Sequence, residues 1–166
     1  MIKKYLILIL ITFLLNNPVY SDKNAVYKMG KDDLTHLIAK NSNFKKATDA
    51  IKQAKRYAKK GKVDKAKKRF NDVIRFLILA NEENPNETNI LNYLGYSFWK
   101  VSDFAMAEIY YEQGLTIDPK HIEINENLGK LYIETNRIDR AKERLKVLED
   151  CKCKEFDKLK NLVSKY

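Results

Sequence analysis

The side chains that could do covalent or metal chemistry are few, and their spacing limits them. Cys151-Lys152-Cys153 holds both cysteines of the chain. Residues two apart on an ideal helix point about 200° from each other, so an intramolecular disulfide here requires the helix to break. Spacing alone leaves open that disulfide, free thiols, an intermolecular bridge and a two-thiolate metal site. Zinc normally takes a third and a fourth ligand, and neither histidine, His36 or His121, is close in sequence. There is no phosphate-binding glycine loop, no dinucleotide glycine pattern and no His-Glu-x-x-His, and no serine sits in a nucleophile elbow. Carboxylates are plentiful without forming a singular pair; Glu108 and Glu112 read as one turn apart on a solvated face. The residues therefore point away from an enzyme and call for no cofactor or metal. They do offer binding chemistry. Tyr93, Tyr96 and Trp99 fall beside the apolar stripe of Leu91, Leu94 and Phe98, and large aromatics off a core stripe anchor interfaces. The alternative is that a neighbouring element, such as a long helix before them, covers them.

Charge adds a second binding feature. The chain of 166 residues carries a formal net charge of +10. The surplus is local: Lys45 to Arg69 holds 12 Lys/Arg against 2 Asp/Glu. Such a stretch serves as a solvated surface, as a contact for an acidic partner or anionic membrane surface, or as a nucleic-acid face. Tyr57 and Phe70 lie at core positions and not among the exposed lysines, so no nucleic acid partner is expected. Lys3 and Lys4 precede an apolar run, Tyr5 to Leu15, which is short against the roughly 20 residues that span a bilayer. Asn16-Asn17-Pro18 breaks the run, and Val19-Tyr20-Ser21 ends in a small residue. Residues 1–21 are read as a secretory signal peptide cut after Ser21. That expects a protein exported across the inner membrane to the periplasm, with an uncleaved N-terminal anchor as the alternative.

These side chains have to be positioned by helices. Residues 22–40 read as a lead-in with a short helix around Asp32–Ala39. From Phe44, the positions Ala47, Ala50, Ile51, Ala54, Tyr57 and Ala58 follow i, i+3, i+4, i+7 spacing, which predicts an amphipathic helix ending before Gly61. A second helix is predicted from Val63 to about Asn81, with Val63, Ala66, Phe70, Val73, Ile74, Leu77 and Ile78 inward. Ile90, Leu91, Leu94, Phe98 and Val101 mark a third. Asp103 opens a fourth, which Asp118-Pro119 closes, because proline cannot continue a helix. Ile122 to about Cys153 gives two more, and Phe156, Leu159, Leu162 and Val163 a last one with Lys154, Lys158 and Lys160 outside.

The spacing also repeats. Leu94-Gly95-x-x-Phe98 and Ala107-x-x-x-Tyr111 return 34 residues later as Leu128-Gly129-x-x-Tyr132 and Ala141-x-x-x-Leu145. This resembles the tetratricopeptide repeat, with its L-G-x-x-Y, A-x-x-x-F and following proline. Two repeats, about 88–121 and 122–153, match well. A divergent one spans about 44–84, where Ala54, Tyr57, Ala66 and Phe70 take the anchor places. Ala66 to Pro85 runs seven residues longer than Ala107 to Pro119, so its second helix should be two turns longer. Asn125 stands where the family has a large aromatic.

The resemblance implies an all-α fold, a short α-solenoid of antiparallel helix pairs over 41–166, closed by a C-terminal capping helix. It also implies a protein-interaction role, as adaptor, scaffold or assembly factor with a protein or peptide in the concave groove. The family's groove positions carry over to Thr48, Ile51, Lys55 and Lys59, then Asn89, Asn92, Tyr93, Tyr96, Trp99 and Lys100, then Glu123, Glu126, Asn127, Lys130 and Glu134. Asn92 and Asn127 resemble amides that bind a peptide backbone in related repeats. Relatives that grip a C-terminal carboxylate need cations where this chain has Ile51 and Glu123, so that subfamily role is not expected. The runner-up reading is an envelope module that uses its basic helix pair on anionic lipid or an acidic polymer. A thiol or metal protein using Cys151 and Cys153 follows behind it.

Overall fold

The computed structural model describes residues 42–166. The expected signal peptide and the lead-in of 22–40 lie outside the described residues. Within them are seven α-helices, one short 3-10 turn and no strand. The helices form three consecutive pairs and a final single helix. The first pair is α1 (Ser42–Lys59) and α2 (Val63–Glu83), and the second is α3 (Thr88–Lys100) and α4 (Phe104–Ile117). The third is α5 (Ile122–Glu134) and α6 (Ile138–Val147), followed by α7 (Lys154–Val163). The fold is the all-α solenoid expected, and each pair packs on the next.

One turn device builds all three pairs. Gly61, Ser102 and Asn136 have left-handed backbone, with φ of 69°, 72° and 57°. In each case the next residue's N–H reaches back into the closing helix: Lys62 to Tyr57, Asp103 to Phe98 and Arg137 to Tyr132, at 2.9, 2.9 and 2.7 Å. This is the glycine-type C-terminal closure of a helix, which satisfies carbonyls left over at its end. Only the first pair uses the residue best suited to that backbone. Side-chain caps start α4 and α3, whereas α2 and α6 begin without one. Asp103 accepts from the Met106 N–H at 3.1 Å, and Glu87 from the Asn89 N–H at 3.1 Å.

The core runs along the pairs. Ala47, Ala50, Ile51 and Ala54 of α1 are buried with Phe70, Val73 and Leu77 of α2. Tyr111, Leu128, Leu131, Tyr132, Leu148 and Leu159 form the core of the later repeats. Gly95 permits the tight approach of α3 and α4, because a β-carbon there would stand 2.6 Å from the Tyr111 ring. The lengthened helix is present: α2 has 21 residues against 14 in α4. Its extra turns carry Leu77 and Ala80 into the core, so stacking against α3 continues.

Several sequence-based positions need correction. Ala58 and Val63 are exposed, and Ile78 is partly so. The first two flank the Gly61 turn, where the chain leaves the helix pair, and the stripe of α2 rotates past position 78. Glu108 does not face open solvent. It pairs with Arg137 at 2.8 Å across the second and third repeats. Asn125, which replaces an aromatic, is fully buried and donates to the carbonyls of Pro119 and His121 at 3.1 and 3.0 Å. A buried amide needs such partners, and here it ties α5 to the turn that precedes it.

After α6 the helix breaks. Glu149–Cys151 make a 3-10 turn, Lys152 adopts left-handed backbone with φ of 48°, and Cys153 starts α7 from an extended conformation. The break brings Cys151 and Cys153 into a disulfide with their Cα atoms 5.2 Å apart. Among the described residues no group of three His, Cys, Asp or Glu is placed to hold a metal ion. No described helix is long and apolar enough to cross a membrane. Helix α7 then caps the solenoid, placing Leu159 against Gly129, where an added β-carbon would stand 2.6 Å from the leucine side chain.

Candidate functional site

The first helices of the pairs, together with α7, enclose a cleft of about 280 Å³. Lys55 enters from α1, and Asn92, Tyr93 and Tyr96 from α3. Glu123, Glu126 and Asn127 come from α5, and Lys154, Glu155 and Lys158 from α7. The spacing of α3 puts Asn92, Tyr93 and Tyr96 on one side of the helix, next to the buried stripe of Leu91 and Leu94, so their inner edges are packed and their outer edges reach the cleft.

The amides and carboxylates of the floor hold one another. Asn127 Nδ2 donates to Asn92 Oδ1 at 3.1 Å, and Asn92 Nδ2 donates to Glu123 at 3.0 Å. This fixes both amides, and leaves Asn127 Oδ1 as an acceptor with no donor among the described residues. Glu126, almost completely buried, is held by Lys130 and lies 3.7 Å from Lys158. Glu155 faces Lys154 and Lys158 at 3.8 and 3.7 Å.

The wall is aromatic and cationic. Tyr96 packs edge-on against Phe70 of α2 and against Trp99, with ring centroids 5.9 and 6.3 Å away. Lys55 and Lys100 stand over Tyr96 at 5.0 and 5.1 Å, and Lys100 also lies 4.0 Å above Trp99. Ammonium groups gain from the negative ring face at such distances. Burial pushes the Tyr96 phenol above its ordinary pKa. Burial also raises Tyr93, as does the Glu123 carboxylate, against a smaller lowering by Lys52. Lys100 is pushed down by burial; Glu134 opposes that, and Lys130 and Lys55 add to it. Lys55 has no carboxylate within ion-pair distance among the described residues, so an incoming acceptor meets an uncommitted cation.

The sequence-predicted residues divide. Lys55, Asn92, Tyr93 and Tyr96 meet in the cleft. Trp99 lies on its flank, packed on the core of the later repeats, with Nε1 donating to Glu134 at 2.7 Å. Lys130 is engaged by Glu126. Asn89 is exposed, with its amide bound to Glu87 at 2.8 Å. Lys59 is exposed at the end of α1 and outside the lining. Ile51 is 5% exposed and belongs to the core, not to a groove. Lys154 and Lys158, expected on the outer face of the last helix, line the cleft together with Glu155. Lys154-Glu155-x-x-Lys158 was the available signal, since its i, i+3 charges share one side of α7.

A helical-repeat protein with a polar, aromatic-walled cleft is the class this geometry defines. Residues 99–165 match the Tetratricopeptide repeat family; the left-handed turn position recurs in all three pairs, and the helix-packing glycine recurs as Gly95 and Gly129, with Ala54 at the equivalent place in the first pair. Among curated proteins, the chain is similar to "Uncharacterized protein ycf37" of Guillardia theta, 24% identical over 103 residues, covering 59% of this chain and 58% of that protein. The protein of that name in Pyropia yezoensis is 32% identical over 53 residues, covering 32% of this chain and 30% of its own length. The chain thus spans little more than half of one relative and about a third of the other. Among solved structures, the fold is similar to the first tetratricopeptide domain of Spaghetti (RPAP3) bound to the HSP90 peptide SRMEEVD. The TM-score is 0.50 at 18% identity, over 73% of this chain and 93% of that one.

Proposed function

We propose that this protein is an interaction module that holds a peptide or an extended protein segment in the cleft between α1, α3, α5 and α7, as an adaptor or assembly factor. The carrying observation is the combination in one cleft of the half-buried Tyr93 and Tyr96, the uncommitted ammonium of Lys55 and the open acceptor of Asn127. Such a set can stack on side chains, take an acceptor and receive a backbone N–H. The floor is prearranged by its own hydrogen bonds, which lowers the ordering cost of binding. The peptide in the Spaghetti domain supports the reading as a use of the same fold.

Crosslinking capture from native extract tests it. Wild-type protein should retain a discrete partner, and Lys55→Ala with Tyr96→Ala should reduce capture by roughly tenfold or more, as expected for loss of an aromatic anchor. Circular dichroism controls for folding. Undiminished capture by a folded double variant would overturn the reading. We further read residues 1–21 as an export signal, on the grounds of Lys3, Lys4 and the run Tyr5 to Leu15. N-terminal sequencing of native protein should then begin at Asp22, and a cytosolic chain beginning at Met1 would contradict it.

A further inference from the structure

The repeats supply an internal comparison at a second place, distant in composition from the cleft. Tyr57, Phe98 and Tyr132 are equivalent, at offsets of 41 and 34 residues. At the same offsets Arg69, Tyr110 and Arg144 are equivalent, and so are Lys65, Met106 and Arg140. In the second repeat Tyr110 stacks on Phe98, with centroids 5.4 Å apart and planes at 10°, so two rings fill the space between the helices. In the third, Tyr132 faces Arg140 and Arg144 in a hollow of about 190 Å³, and Glu112 lines it too. The Tyr132 hydroxyl donates to Glu112 at 3.4 Å. Two guanidiniums against one carboxylate leave that lining at 2 − 1 = +1.

The first repeat also has one carboxylate in the equivalent place, but more cations around it. Arg69 takes the place of the second ring, and the space stays open as a depression of about 290 Å³ lined by Tyr57, Lys65, Lys68, Arg69 and Asp72. It shares no residue with the cleft. Asp72 pairs with Arg69 at 3.1 Å and steadies the guanidinium. Lys65 and Lys68 have no carboxylate within ion-pair distance, and the Tyr57 hydroxyl has no hydrogen-bond partner, among the described residues. Three cations against one carboxylate leave a lining charge of 3 − 1 = +2. A carboxylate would balance half of that. A phosphate group, at about −1.5 to −2 with several strong acceptor oxygens, balances it and can use the ammoniums, the guanidinium and the phenol together.

We propose that this depression is a phosphate-binding site, for a phosphate ester in solution or for the headgroup of an anionic phospholipid. It stands independently of the cleft reading, because the two surfaces use different residues.

Two probes test it on the full protein: calorimetric titration with inorganic phosphate, and cosedimentation with phosphatidylglycerol or phosphatidylcholine vesicles. Saturable binding to phosphate or to phosphatidylglycerol, and none to phosphatidylcholine, is expected. At roughly fivefold per lysine near an anionic group, Lys65→Ala with Lys68→Ala should weaken it on the order of twentyfold. Tyr57→Phe should weaken it less while keeping the ring. Lys45→Ala with Lys46→Ala removes equal charge outside the depression and should leave binding within about twofold. Vesicle binding that phosphate competes away assigns the headgroup; phosphate binding without vesicle binding assigns a soluble ester. Binding of neither probe overturns the proposal. So does equal weakening by the Lys45/Lys46 pair, which would make the attraction diffuse. Both substituted lysines are exposed, so the variants should keep the wild-type circular dichroism.

Discussion

At Gly95 the fold tolerates no side chain, because the ring atoms of Tyr111 already occupy the volume a β-carbon would take. Alanine is the better helix former by about 1 kcal/mol, so an open site would gain from the change. Here overpacking against a buried ring wins. Gly95→Ala should destabilise by about 2 kcal/mol, seen as a lower urea midpoint with an unchanged slope; an unchanged midpoint would mean that α3 and α4 can part without cost. Tyr132 gives a second prediction at this scale. Burial first, then the carboxylates of Glu108 and Glu112, push its phenol up to about 12. An unfolded tyrosine titrates near 10. The folded chain therefore keeps a proton that the unfolded chain releases, and the contribution present below about pH 10 is lost as pH rises toward about 12. Tyr132→Phe should flatten the fall of the urea midpoint across that window. Tyr111, raised well above its ordinary value by burial, will leave some slope. The anchors Gly95 and Tyr132 were legible because their spacing repeats. Tyr132's carboxylate neighbours were not, since only the packing of α5 on α4 brings Glu108 and the exposed Glu112 up to its ring.

Among the elements, the junction of α6 and α7 is the one where sequence left the chemistry open. A helix through Cys151 and Cys153 would have kept the sulfurs apart. The 3-10 turn and the left-handed Lys152 bring them together instead, and Cys151 packs on the core. The bond closes only a very short loop, so its entropic effect on the unfolded chain is small, about 1.5 kcal/mol. Its local effect should be larger. Cys151→Ser with Cys153→Ser should speed amide exchange in α7 while leaving α3 and α4 protected, measured by hydrogen exchange. Uniform loss of protection would show that the cap and the repeats open as one unit. The long α2 was readable from the displaced Pro85, since the distance from Ala66 to the helix-ending proline counts turns directly. What the extra turns do was not readable: they extend the inner face of α2, from which Phe70 meets Tyr96.

Across the molecule, stability is passed from repeat to repeat, and α7 closes the open end. Leu159 is fully buried in the same apolar cluster as Tyr111, Leu128 and Tyr132. Leu159→Ala should cost about 2–5 kcal/mol and lower the thermal midpoint of the whole domain, because the last repeat would present its inner face to water. A domain that kept its midpoint would show that the third repeat needs no cap. The sequence by itself determined the helices, the turns and the 34-residue frame. These depend on contacts within a few turns, which i, i+3 and i+4 spacing encodes directly. Tertiary structure alone decided which polar groups remain for a partner. Asn92 meets Asn127, Trp99 meets Glu134 and Arg137 meets Glu108 across 35, 35 and 29 residues. Whether a charge or amide is spent internally depends on which neighbour the stacking brings alongside. For that reason Lys130 proved to be engaged, Lys154 and Lys158 came to line the cleft, and the lysines around Tyr57 were left without a carboxylate of the chain.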